Sequence, residues 1–182
     1  AERTVFGTIR FLPVNVRYLT IKFGDLNKIA LKTFKQALSS DYYIVFGGSF
    51  IKGDLASYLV DNNAINIHMG LSPFYRGNSC NFWALYDGKP EYVGATIHQL
   101  SRGLDSGSIL FHAVPEIREY EPFELGMYAV KSALEGVINS LKNGTLNRME
   151  PSSQDKTLEM RYSRNEDFDD NDARIAAAFG EY

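Results

Sequence analysis

The sequence predicts an α/β fold, and three observations carry that reading. A short apolar run at residues 42–46 has the continuous hydrophobicity of a strand buried on both faces. A second strand pattern, at 64–68, follows it after a short helical pattern at 53–60. A long amphipathic helix is expected from Pro122 to about Leu141, with Asn143-Gly144 as its stop. Strands alternating with helices are the pattern of a mostly parallel sheet flanked by helices.

The elements follow in chain order. Residues 4–11 and 18–23 have strand character. Asp25 or Asn27 can cap a helix reaching Leu38, with Leu26, Ile29, Ala30, Phe34, Ala37 and Leu38 as its buried stripe. Gly47-Gly48 breaks the strand at 42–46. After the loop at 73–77, residues 79–86 read as helix and Asp87-Gly88 as its stop. Residues 92–100 and 108–115 read as strands. In the long helix, Pro122 suits a first turn, and Phe123, Met127, Val130, Leu134, Val137, Ile138 and Leu141 trace one face. From Glu150 the composition turns polar. The acidic cluster Glu166, Asp167, Asp169, Asp170 and Asp172 precedes residues 173–179, which read as a short final helix with carboxylates at its start. The expected division is a catalytic domain at 1–149 and a polar, solvated tail at 150–182.

Composition narrows the functional classes. At 182 residues the chain has the length of one domain with a full core. Nineteen Lys plus Arg against 22 Asp plus Glu leave a net charge of −3, which offers no general attraction to nucleic acid. No apolar run is long enough to span a bilayer, and residues 1–12 do not resemble a signal peptide. The single cysteine, Cys80, excludes an internal disulfide and fits a reducing, cytoplasmic setting.

The chemistry concentrates in 66–77 (NIHMGLSPFYRG) and 104–107 (LDSG). Asn66 and His68 lie two apart on a strand, so both leave on one face at its carboxyl end, where open α/β sheets place ligands. An amide donor, an imidazole and the later carboxylate of Asp105 are the parts of acyl transfer: one holds a developing oxyanion, one moves a proton, one orients the mover. The double glycine before Ser49-Phe50-Ile51 permits close backbone approach to a ligand and is equally ordinary turn chemistry. No G-x-G-x-x-G is present, and three scattered histidines with one cysteine make no metal set.

Four blocks, 45–51 (VFGGSFI), 66–77, 94–98 (GATIH) and 104–107, together resemble the folate-dependent formyltransferases, in that family's order and rough spacing. The resemblance covers about residues 25–118 and implies a Rossmann-like formyltransferase fold. It implies 10-formyltetrahydrofolate as formyl donor and a primary amine as acceptor. Asn66, His68 and Asp105 would be catalytic. Phe50, Ile51 and Gly53, with Ser101, Arg102, Gly103 and Leu104, would receive the folate. Arg76 would meet an anionic group of the acceptor or pair with a surface carboxylate. His98 matches a family position near the site and reads equally as structural support. His112 and Cys80 read as structural, the latter as an inert, partly buried thiol.

The first block lies nearer the first residue than in most of that family, so the amino terminus reads as shortened, and no early phosphate-holding glycine loop is evident. The residues after Leu141 read as too few for the extra domain of the tRNA-directed branch. Both points, with the acidic balance, favour a small amine, such as an amino sugar carried by a nucleotide, over methionyl-tRNA or glycinamide ribonucleotide. A hydrolase that passes the formyl group to water, and a folate-binding remnant without activity, are the alternatives.

Overall fold

The computed structural model describes residues 1–8, 11–116 and 121–168. In chain order its main elements are α1 (Glu2–Phe6), β1 (Ile44–Phe46), α2 (Gly53–Asp61), β2 (Ile65–His68), β3 (Tyr75–Gly77), α3 (Cys80–Tyr86), β4 (Ala95–Gln99), β5 (Ile109–Ala113), α4 (Pro122–Lys142) and β6 (Arg161–Ser163). The fold is α/β. One sheet runs β1-β2-β4-β5, and β3 pairs with β6 in a second, two-stranded sheet.

The larger sheet is mixed. β1 and β2 are parallel, joined through α2, whereas β4 runs against β2 and β5 against β4. A mostly parallel sheet was the expectation. The connection from β4 to β5 is too short for a crossover helix, so those two strands must form a hairpin. Its register slips at Ile97/His98.

The core has two parts that α4 unites. Ile65, Ile67, Ala95, Ile97 and Ala113 of the sheet pack on Ala133 and Val137 of α4. Tyr75, Cys80, Trp83, Ala84 and Val93 pack on Leu125 and Ala129 of the same helix. The fully buried residues of α4 form the ladder Leu125, Ala129, Ala133, Val137 and Ser140, rotated from the expected stripe but sharing Val137 with it, while Leu134 and Leu141 of the stripe pack partly buried against the same core. Phe123 and Ile138 of that stripe are exposed. The alanines let the helix axis approach the sheet, and close approach buries more surface than large side chains held at a distance.

The first forty residues depart most from expectation. Residues 2–6 form α1 rather than a strand, and residues 9–10 of the expected strand lie outside the described residues. Residues 18–23 alternate like a strand but pair with no neighbour among the described residues, and without a ladder the pattern makes no sheet. In place of one helix at 25–38 there are three 3₁₀ turns, Leu26–Lys28, Leu31–Phe34 and Ala37–Ser39. Asp25 makes no capping bond, its carboxylate being held by Lys28 Nζ at 2.7 Å. The Asn27 amide docks instead on the loop after β1: its Nδ2 donates to the Phe50 carbonyl and its Oδ1 accepts from the Lys52 amide, both at 2.8 Å. That anchor holds the first turn against the loop, and the extended backbone at Ile29 and Ala30 interrupts the helix.

Among the described residues, contacts cross the boundary expected at 149/150. Ser152 forms a two-way backbone bridge with Ile109. Beyond it, β6 pairs along β3, and Arg161 bonds Asp87 at 2.6 Å while lying 3.9 Å over the Trp83 ring. The expected helix at 173–179, with Asp169, Asp170 and Asp172, lies outside the described residues. No helix among the described residues is long and apolar enough to cross a membrane.

Candidate active site

The end of β2 brings Asn66 and His68 to one face, and the β4–β5 hairpin loop delivers Asp105 to them. Asp105 adopts φ 44°, a left-handed conformation rare for a side-chain-bearing residue. Asn66 Nδ2 donates to Asp105 Oδ1 at 3.1 Å, and His68 Nδ1 lies 3.4 Å from Asp105 Oδ2. The three residues singled out in the sequence therefore converge.

His98, directly opposite Asn66 on β4, completes the cluster. Its Nδ1 donates to the Gln99 carbonyl at 2.8 Å, which leaves Nε2 as the acceptor for Asn66 Nδ2 at 3.0 Å. Both N–H groups of Asn66 are thereby engaged, one by an imidazole and one by a carboxylate. Cys80, at the start of α3, is fully buried rather than partly so, and its Sγ lies 3.5 Å from His68 Nε2. Gly70 permits that contact, because a Cβ there would collide with the Cys80 side chain.

Burial sets the protonation states. It lowers the His68 imidazole below its ordinary value, with the Asp105 charge pulling the other way, so the ring is neutral near neutral pH. Burial raises Asp105, but its surroundings of His98, His68 and Arg76 together outweigh it and hold the carboxyl below its usual range. An ionised Asp105 beside a neutral His68 is the arrangement both environments favour, with Asn66 N–H as the fixed donor to the carboxylate. Burial also pushes the Cys80 thiol up to about 12, which keeps it protonated and a poor nucleophile.

These side chains form the floor of a cavity of ≈ 830 Å³, within the range of small-molecule sites. One wall comes from residues 45–51 and from 100, 101 and 103–105, so Phe50, Ile51, Ser101, Gly103 and Leu104 of the folate-binding expectation line the cavity. Gly53 opens α2, and neither it nor Arg102 is part of that lining. The opposite wall, residues 77–82 and 162–165, was not foreseen, because it depends on β6 returning to β3 across a long stretch of chain.

Arg76 takes the second of its two expected partners, a carboxylate of the chain. Its guanidinium bonds Glu159 at 2.7 Å and lies 5.8 Å from the Tyr162 ring, and it is not on the cavity wall. Its Nε is buried without a hydrogen-bond partner among the described residues. His112 supports the fold as expected, bonding the Ser72 carbonyl at 2.7 Å. Among the described residues no three His, Cys, Asp or Glu side chains are arranged to hold a metal ion.

Comparison with known proteins gives this geometry a context. A family model described as formyl transferase matches residues 27–133. Methionyl-tRNA formyltransferase of Anaeromyxobacter sp. (strain K) is 37% identical over 89 residues, covering 49% of this chain and 28% of that protein. The chain thus spans little more than a quarter of that relative's length. In fold it resembles a 4-N formyltransferase from Francisella tularensis, with a TM-score of 0.58 and 20% identity over 84% of this chain and 66% of that one. It also resembles the formyltransferase PseJ from Anoxybacillus kamchatkensis, solved with a UDP-linked formamido sugar and tetrahydrofolate. That likeness has a TM-score of 0.55 and 23% identity over 83% of this chain and 72% of that one.

Proposed function

The chain belongs to the formyl transferase family, and on that premise we propose that it moves a formyl group from 10-formyltetrahydrofolate to a primary amine on a small acceptor such as an amino-sugar nucleotide. The observation that carries the reading is the meeting of Asn66, His68 and Asp105 on the floor of a cavity large enough for a folded-in pterin and the reacting groups.

When bound, 10-formyltetrahydrofolate supplies a formyl group already activated on nitrogen. The residues then divide the work. Asp105, ionised and partly shielded from water, accepts a proton from the amine as its nitrogen bonds to the formyl carbon. Asn66 presents an N–H to the formyl oxygen as that oxygen gains charge, a contact worth about 2.7–4 kcal/mol of barrier. Both Asn66 N–H groups are engaged beforehand, so one must change partner. Protonation of Asp105 weakens its hold on Asn66 at the moment the oxyanion needs a donor. His68, neutral and hydrogen-bearing at Nδ1, steadies the carboxylate. Asp105 finally returns its proton to the departing nitrogen as the old carbon–nitrogen bond breaks. The backbone of residues 47–51 and 101–104 supplies donors and acceptors for the pterin.

The sugar-nucleotide acceptor is supported by the net charge of −3 and by a fold neighbour, a formyltransferase solved with a UDP-linked formamido sugar. The identity to methionyl-tRNA formyltransferases favours a second reading, in which the acceptor is methionyl-tRNA. The test supplies 10-formyltetrahydrofolate with amino-sugar nucleotides, with methionyl-tRNA and with water alone, and follows its consumption. Transfer to a sugar amine that falls at least about a hundredfold in both His68→Ala and Asp105→Asn is the expected result. Near-wild-type transfer by both variants would remove the catalytic assignment, and consumption by water alone would make the protein a hydrolase.

A further inference from the structure

We propose that Gln154 is a positioning residue for Asp105, fixing the catalytic loop from the segment after α4. The proposal rests on the formyl-transfer reading for its meaning but on geometry for its substance.

The loop between β4 and β5 holds Asp105 in a left-handed conformation with φ 44°. Such a backbone persists only where its surroundings over-determine it. The loop's own contacts are few: Ser101 Oγ donates to the Gly103 carbonyl at 3.1 Å and lies 2.9 Å from Ser106 Oγ, all at the exposed tip. At the base, Gly107 is pressed so close to the Gln99 carbonyl that no Cβ fits. Gln154 supplies the missing constraint. Its Nε2 donates one hydrogen to the Asp105 carbonyl and the other to the Gly107 carbonyl, each at 2.8 Å. The two bonds pin the backbone from the Asp105 carbonyl to Gly107 and so fix the direction from which the Asp105 carboxylate reaches His68.

A planar amide offers two hydrogens at that spread from one uncharged nitrogen. Gln154 is itself fixed, because Ser152, two residues earlier, is bridged to Ile109 at the start of β5. The clamp and the loop therefore share one strand end as their reference. Oε1 of Gln154 is buried without a hydrogen-bond partner among the described residues. That is unfavourable, and a side chain retained only for packing would be better apolar.

Gln154→Leu keeps the bulk and removes both donors, and Gln154→Asn keeps the amide but is one methylene too short to reach both carbonyls. Two readouts need no substrate. Amide hydrogen exchange at residues 104–107 should quicken at least fivefold in both variants. The His68 imidazole, followed by NMR, should titrate lower than in the wild type, because a loosened Asp105 no longer offsets its burial. The groups facing that ring are Asp105, Cys80, His98 and Arg76, and the substitutions leave the last three in place. In formyl transfer, kcat should fall about tenfold while the donor KM changes less than twofold. Unchanged exchange and an unchanged His68 titration in both variants would overturn the proposal, as would a loss confined to the donor KM. If the wild type transfers no formyl group to any acceptor, the functional reading fails, and exchange and titration still decide the role of Gln154.

Discussion

His68 is enclosed by a carboxylate on one ring nitrogen and a thiol on the other, and that enclosure makes it a liability in acid. Burial holds its imidazole below the ordinary value, against the pull of Asp105. Below about pH 6.5 the unfolded chain takes up a proton that the folded site refuses. The folded state then loses up to about 1.4 kcal/mol per pH unit from this group, until the folded value is reached. Asp105 acts in the same sense at lower pH. Burial pushes it up, but His98, His68 and Arg76 prevail and hold it below the usual carboxylate range. Its contribution is therefore present above about pH 4 and is lost as the pH falls through the folded value. The urea midpoint should drop between pH 7 and pH 5, and His68→Gln should flatten that drop; equal slopes in the two proteins would show that the ring is not buried neutral. Asn66, His68 and Asp105 were legible in the sequence because alternation on a strand and a turn carboxylate are local signals. Gln154 and the wall at 162–165 were not, because their roles arise only when a polar segment folds back over the sheet. The partner that decides between the two readings of Arg76 was hidden for a related reason: Glu159 comes from that same segment.

At the scale of elements, α4 shows how a correct helix can carry a rotated face. Its limits were legible from Pro122 and from Asn143-Gly144, and the structure runs it Pro122–Lys142. The hydrophobic period pointed to the bulky stripe, of which Val137 is buried and Leu134 and Leu141 pack partly buried, yet the other fully buried contacts with the core are made by the unforeseen Leu125, Ala129 and Ala133. A sequence pattern weighs hydrophobicity, whereas packing against a sheet also selects small size. Ala133→Leu should therefore cost about 1–3 kcal/mol by overpacking, read as a lower urea midpoint at unchanged slope. Phe123→Ser, on the exposed stripe, should stay within about 0.5 kcal/mol of the wild type. The reverse order would restore the face read from the sequence. Residues 25–38 teach a similar lesson. Their apolar spacing is helical, but the Asn27 amide, bonded to Phe50 and Lys52, fixes a local geometry that one continuous helix could not keep.

For the whole molecule, the acceptor is the question on which charge and site architecture bear together. The chain carries a net charge of −3; Arg164 of the second wall pairs with Glu166 at 3.4 Å, and Arg76 and Arg161 are held by Glu159 and Asp87. A nucleic-acid acceptor gripped through six to ten phosphates would lose about 10³–10⁵ in affinity between 50 and 200 mM salt, because each neutralised phosphate releases counterions. A small nucleotide-linked amine presents only one or two phosphates, so its capture depends on the shape of the cavity and on hydrogen bonds that salt barely screens. With an amino-sugar nucleotide, kcat/KM should therefore fall less than about tenfold from 50 to 200 mM salt, and the donor KM should be nearly flat across the same range. A steep salt slope with methionyl-tRNA, together with no turnover of sugar nucleotides, would assign the acceptor to the tRNA. It would leave the proposed work of Asn66, His68 and Asp105 untouched, since the formyl carbon, the oxyanion and the migrating proton are the same for either amine.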